Sequence, residues 1–321
     1  MKMKKFLSVM LILAMVLTLA ACSGASATKM TMGTGGTSGT YFAFGGVLGQ
    51  YIQSNAGIEV VVVSTDGSKA NIESIDAGDY QLGTVQSDVM AYAWEGTRSF
   101  ADLGKIDSFR VVAGLYAEAV QLVTMDPEIK SVADLKGKAV SIGAPGSGVY
   151  FNAVDVLTAA GLSEDDIQAQ YMSFGDSTDG LKDGKIDAAF IVAGAPTAAI
   201  TELCTTNSAY LVPIDGAVAD KLMADCPFYT AYSIPAGTYA GQDSDVSTVT
   251  VKATLIVSAD AKEDDVYKLT KAIFDNTDAI AKENGKGAEL SIEHATSGMS
   301  APFHAGAAKY YAEKGVTVNA G

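Results

Sequence analysis

The chain has 321 residues, with 22 Lys and Arg against 37 Asp and Glu, for a formal net charge of −15. Phosphate binding needs a positive field, so this balance argues against nucleic acid or an anionic membrane face as partner, and reads instead as a solubilising surface. Only two arginines occur, Arg98 and Arg110, which limits the use of bidentate clamps for carboxylates.

In chain order, the first element is a leader. Lys2, Lys4 and Lys5 precede an uncharged apolar run from Phe6 to Ala21, which ends in Leu19-Ala20-Ala21-Cys22 followed by Ser23-Gly24. A basic flank, a short apolar stretch and small residues describe a secretory signal over residues 1–21. The run is shorter than the ~20 residues a permanent bilayer-spanning helix needs. Small residues before a cysteine at that point look like a bacterial lipobox, which implies cleavage before Cys22 and its lipidation. A plain signal peptide with an incidental cysteine is the alternative. Loss of the leader takes the basic residues from 22 to 19 against 37 acids, a mature net charge of −18. Residues 22–28 are small and polar, a tether. No second apolar stretch approaches membrane-spanning length, so the expected location is extracytoplasmic, anchored to the membrane and not crossing it.

A β/α rhythm follows. Strands are predicted at Lys29–Met32, Ile58–Ser64, Gln81–Val85 and Phe109–Tyr116, with helices at Tyr41–Gln53, Ser68–Ala77 and Ser87–Trp94. The run Ile58–Ser64 is continuously β-branched, as in a buried parallel strand. A second series has strands at Val120–Thr124, Ala139–Gly143, Ile167–Phe174, Ala188–Val192 and Ala209–Ile214. A short helix is predicted through Ser131–Leu135 and a longer one over Phe151–Ala160. After the polar stretch Gln242–Ser247 come a strand at Val249–Ser258 and helices at Asp264–Asn284 and His304–Lys314. Alternation of this kind predicts an α/β fold with parallel sheets in two lobes. Cys204 and Cys226 form an even pair in an oxidising location, so a disulfide closing 204–226 is expected, credited with about 3 kcal/mol by chain entropy. Two buried free thiols are the alternative.

Open parallel sheets bind ligands at the carboxyl ends of their strands. Four loops there are candidates: Gly33–Tyr41, Thr65–Asn71, Gln86-Ser87-Asp88 and Gly143–Gly148. The first offers hydroxyls and free amides at a helix start, an anion-binding arrangement. Any one glycine-rich turn can exist simply to make the turn; four in two lobes are harder to dismiss. None is a nucleotide motif, since the first lacks a terminal Gly-Lys-Ser/Thr and the fourth is Gly-x-x-Gly-x-Gly. His294 and His304 show no metal-ligand pattern and are assigned structural roles. No Gly-x-Ser-x-Gly elbow is present. Neither an enzyme, a cofactor nor a metal is expected.

Four segments together resemble the TAXI solute receptors of TRAP transporters. They are Gly35-Gly36-Thr37-Ser38-Gly39-Thr40-Tyr41, Leu82–Asp88, Leu135–Gly148, and Ala301–Ala307 with Tyr310-Tyr311. The resemblance implies a bilobed periplasmic-binding-protein-like fold of type II with two inter-lobe crossovers, near 117–120 and 246–252. Lobe 1 would be 29–118 plus 249–321 and lobe 2 would be 119–248. It implies a monomer that closes on a small carboxylate or amino acid, such as glutamate, glutamine or 2-oxoglutarate, and delivers it to a TRAP permease. The chain departs from the family pattern at Ser38, where glycine is common, and at Asp66-Gly67-Ser68, where Gly-Gly-Ser is expected. Asp66 would repel an anion and suit an ammonium or a counter-cation.

The site expected on this basis holds one carboxylate with Thr37, Ser38, Gly146 and Ser147 at two helix N-termini. Ser68 stands in the second loop, Tyr41, Gln86 and Asn71 orient the solute, and Tyr116 walls the pocket. Asp88 either takes an ammonium or caps the next helix. The alternatives are a binding subunit of an ABC importer and a lipoprotein that reports ligand occupancy to a membrane kinase.

Overall fold

The computed structural model describes residues 28–321; the leader, Cys22 and the tether up to residue 27 lie outside the described residues. The chain opens with β1 (Lys29–Gly33), α1 (Thr40–Ala56), β2 (Glu59–Val63), α2 (Ser68–Asp76), β3 (Leu82–Gln86) and α3 (Ser87–Glu95). Helix α1 forms because Phe44, Leu48 and Ile52 recur every four residues and bury one face. It stops at Gly57, whose φ of 68° only glycine adopts cheaply, with the Gly57 N–H closing on the Gln53 carbonyl.

The long strand β4 (Phe109–Thr124) follows, then β5 (Ala139–Ser141), α4 (Val149–Ala159), β6 (Gln168–Gln170), α5 (Phe174–Lys182) and β7 (Ala188–Ala193). Next come α6 (Ala198–Thr206), β8 (Tyr210–Val212), α7 (Gly216–Asp225) and β9 (Thr230–Ile234). A second long strand, β10 (Val246–Ser258), leads to α8 (Glu263–Phe274), α9 (Thr277–Glu283), α10 (Ile292–Thr296) and α11 (Ala305–Glu313).

The α/β class expected from the sequence is what the chain adopts. The strands form one ten-stranded mixed sheet in the order β2-β1-β3-β10-β4-β7-β5-β6, with β8 beside β4 and β9 beside β10. Parallel trios flank it: β2-β1-β3 at one end and β7-β5-β6 at the other. The two long strands between them are antiparallel to each other and to their neighbours. One apolar core takes its residues from Met30–Tyr116 and Ala253–Tyr311. Two further clusters draw on 119–251 and pack separately from it. The parts of β4 and β10 that belong to neither side are Ala117, Glu118 and Lys252.

Strand β4 replaces two expected strands, Phe109–Tyr116 and Val120–Thr124. Its register against β10 slips between Lys252 and Thr254, where Leu115 and Tyr116 together face Ala253. Such a bulge bends the strand without ending it. Next to it, the Ala117 N–H donates to Glu289 Oε2 at 2.7 Å. The expected helix Asp264–Asn284 is two helices, because the Asn276 side chain bonds the Ala272 carbonyl at 2.8 Å and ends the first. Phe174 begins a helix and does not end a strand.

The expected disulfide is absent. Cys204 and Cys226 are free thiols. Cys204 packs with Ile200 and Leu203 in one cluster, Cys226 with Leu222 and Tyr229 in the other. Each is held in a different apolar environment, and burial pushes both thiols up from their ordinary range.

Candidate functional site

A cavity enclosing about 610 Å³, its mouth included, opens between the two sides of the fold. Its walls come from five helix starts: Gly39-Thr40-Tyr41 of α1, Gly67-Ser68 of α2, Gln86 before α3, Gly148-Val149 of α4 and Ser173-Phe174 of α5. The first-turn amides of a helix lack intrahelical partners and carry the positive end of its dipole. Converging on one space, they favour a negatively charged or strongly accepting group there.

Two carboxylates oppose that field. Asp66 lies exposed at the rim and Glu118 lies deep, 2% exposed. No Lys, Arg or His lines the cavity. The Tyr41 hydroxyl donates to Glu118 Oε2 at 2.8 Å. Burial holds the Glu118 carboxyl well above the usual carboxylate range, partly opposed by this bond and by the Lys286 ammonium. Lys286 is itself paired with Glu289 at 2.7 Å. Gln86 is also buried, its backbone N–H donates to Ser68 Oγ at 3.0 Å, and its side-chain Oε1 has no partner. A Cβ on its neighbour Gly148 would collide with Gln86 Oε1, so any other residue there displaces the Gln86 side chain.

Four of the ten expected ligand residues line the cavity: Tyr41, Ser68, Gln86 and Ser147. The other six lie outside its walls. Thr37 is exposed on the preceding turn. Ser38 offers its carbonyl to the Ala199 N–H at 3.2 Å. Asn71 is buried and donates to the carbonyls of Thr34 and Thr84 at 2.7 and 2.8 Å, tying β1 to β3. Gly146 accepts from the Ala70 N–H at 3.2 Å, and a Cβ on it would strike Asp66. Tyr116 is fully buried edge-on to Phe44. Asp88 accepts from Asn152 Nδ2 at 2.9 Å. Ser147 spends its hydroxyl donor on the Ala144 carbonyl at 2.7 Å and keeps its lone pairs for other partners.

Glu118 was not among the expected residues. It is the one charged side chain in the apolar stretch Val111–Val123, and a lone acid in a strand that is otherwise buried is a signal the sequence does carry.

Beside the cavity the two sides are clasped. Arg98 pairs with Asp155 at 2.6 Å, and its guanidinium stacks on Tyr92 and Phe151 at 5.0 and 5.8 Å. Asn152 donates to both Asp88 and Tyr229, and Tyr229 donates to Asp155 at 3.1 Å. Thr40 Oγ1 bonds the Gly194 carbonyl at 3.0 Å from the opposite wall. The His304 ring caps α11 through the Gly306 N–H and bonds the Ala261 carbonyl; at His294 the backbone N–H takes the Ser291 cap, while the ring Nε2 is buried without a partner. Among the described residues, no group of three or more His, Cys, Asp or Glu is placed to hold a metal.

Residues 32–315 match the model of the NMT1-like family. The chain belongs to that family. Among solved structures, the chain is similar to the alkanesulfonate-binding protein SsuA of Xanthomonas axonopodis pv. citri bound to MOPS (16% identity, 91% of this chain and 92% of that one, TM-score 0.51). It is also similar to PhnD1 of Prochlorococcus marinus (MIT 9301) in complex with methylphosphonate (12%, 78% and 85%, TM-score 0.51). A third is the ligand-binding component of an ABC-type import system from Staphylococcus aureus with zinc bound (9%, 82% and 79%, TM-score 0.51). At these identities the likeness is one of fold, and the fold is that of the periplasmic binding proteins.

Proposed function

We propose that the chain is the extracytoplasmic solute-binding receptor of an importer. Its two lobes, 29–118 with 249–321 and 119–248, close on a small polar solute in the cavity. The observation that carries this reading is the cavity itself, walled by helix starts from both sides of the fold and bordered by contacts that join them. A solute touching both walls favours the closed arrangement by its differential affinity for it. In this reading an acceptor group of the solute rests on the helix-start amides near Tyr41, Ser68 and Ser147, and Gln86 orients it. Asn71, Asp88 and Tyr116 act through the loops they hold, and Thr37, Ser38 and Gly146 through backbone alone.

The named structural relatives, a sulfonate binder, a methylphosphonate complex and an ABC import component, favour an ABC-type permease as the membrane partner. A TRAP permease is the second reading, supported by the four motif segments and by no structural relative named above. Anchoring through a lipid on Cys22 completes the proposal.

The test is a thermal shift of residues 23–321 against a panel of small sulfonates, phosphonates, carboxylates and amino acids. A solute at a hundred times its Kd adds about 2.7 kcal/mol to a fold that alone binds it. One responding class is expected, and Gly148→Ala should weaken the response sharply by displacing the Gln86 side chain at the cavity wall. A response that Gly148→Ala leaves unchanged places the binding elsewhere.

A further inference from the structure

We propose that Glu118 is the specificity residue of the cavity and receives a protonated nitrogen of the solute. The inference rests on the receptor reading above and adds what that reading leaves open, the charge of the ligand.

The argument begins with what surrounds Glu118. Its carboxyl is fully inside the protein, at the point where β4 passes from one core to the other. Tyr41 supplies one hydrogen bond. Lys286 is the cation near it, and Lys286 is engaged by Glu289. Burial alone favours the neutral acid, and a cation beside Glu118 reverses that by bringing charged donors to the acceptor sites that Tyr41 leaves open. Glu118 lines the cavity, so a bound solute can fill them.

A second observation points the same way. Gln86 Oε1 is buried, also at the cavity wall, and has no donor. Two acceptors on the cavity wall, Glu118 and Gln86 Oε1, therefore await donors, while the helix-start amides await an acceptor. An ammonium, amidinium or guanidinium satisfies the first pair. A dianion does not, because it brings no donor to either acceptor and finds no Lys, Arg or His among the described residues of the wall to balance its charge. A sulfonate or phosphonate without nitrogen fits equally badly. The same argument disfavours 2-oxoglutarate among the expected solutes and keeps glutamine and glutamate.

The experiment is calorimetric titration of the mature soluble protein, unfolded and refolded first to strip any carried solute. The panel holds four- and five-carbon solutes in three charge forms: norvaline, glutamine and 4-aminobutyrate; glutarate and 2-oxoglutarate; agmatine and putrescine. Every binder is expected to carry a protonated nitrogen. Glu118→Gln should weaken it on the order of tenfold or more, the loss of a charge-assisted contact. Far-UV circular dichroism and the melting temperature establish that the variant folds. Binding of glutarate or 2-oxoglutarate, or an unchanged affinity in folded Glu118→Gln, overturns the assignment of Glu118 and leaves the receptor reading standing. A panel in which nothing binds overturns the assignment of Glu118, and the sulfonates and phosphonates of the thermal-shift panel then decide the receptor reading.

Discussion

Asp88 is fully buried, and its Oδ1 has no partner, as is also true of Asn152 Oδ1 next to it. Burial raises its carboxyl to about 7, with hydrogen bonds from Asn152 and the backbone pulling the other way. Between pH ~4 and ~7 the folded chain therefore keeps a proton that the unfolded chain has released. Stability falls with rising pH through that window and levels off above it, by up to about 4 kcal/mol from this one group. Asp88→Asn removes the charge and can donate to the orphan Asn152 Oδ1. The variant is expected to unfold at higher urea than the parent at pH 8 and to show a shallower decline between pH 4 and 7. Equal urea midpoints at pH 8 would show that Asp88 does not carry this cost. Among individual residues, the sequence exposed the loop chemistry well and the strand chemistry poorly. Tyr41, Ser68, Gln86 and Ser147 follow strand ends in glycine-rich loops and reach the cavity. Asn71 and Asp88 stand in the same loops but turn inward to hold the backbone. Loop membership alone does not separate a side chain that faces solute from one that braces its neighbours.

At the scale of elements, the turn Arg98–Phe100 is the unusual piece. Arg98 has φ of 49°, a left-handed conformation that costs a non-glycine residue of order 1 kcal/mol or more. That conformation accompanies the reach of the guanidinium across to Asp155 on α4. Burial outweighs the ion pair at Asp155, whose carboxyl lies above its ordinary range, so removing Arg98 leaves a strained acid. In the receptor reading the pair exists only when the lobes meet, so its loss weakens the closed form. Arg98→Ala is expected to enlarge the radius of gyration seen by small-angle scattering and to weaken solute binding about tenfold, the equivalent of ~1.4 kcal/mol. Unchanged scattering and affinity would deny the clasp any role. The β/α alternation was legible because apolar spacing and glycine stops mark each element locally. Three features were not. The bulge at Leu115-Tyr116 resembles a strand end because the pairing slips there. The end of α8 depends on one side chain, Asn276, bonding backward. Strand β9 has mostly exposed side chains, so no apolar pattern announces it.

On the whole molecule, the two thiols settle what composition left open. An even pair left once Cys22 is set aside, in an oxidising location, suggested a bridge, but pairing depends on where the chain carries each residue, and Cys204 and Cys226 end in different clusters. Denatured, unreduced protein lacking Cys22 is expected to give two reactive thiols, and a reductant is expected to leave the melting temperature unchanged. A count of zero would establish the bridge. The position of β10 has a further consequence, for synthesis. Strand β3 spans Leu82–Gln86, and its neighbour in the sheet is Ala253–Val257. As an exported chain emerges outside the membrane N-terminus first, the first three strands must wait for everything in between before their inner edge is covered. The middle segment has no such wait and can assemble most of its own core first. The middle segment then folds before the segment that precedes it in the sequence. The unpaired backbone edge of β3 is exposed meanwhile, which makes the chain slow to finish and in need of a holding factor until its last third arrives.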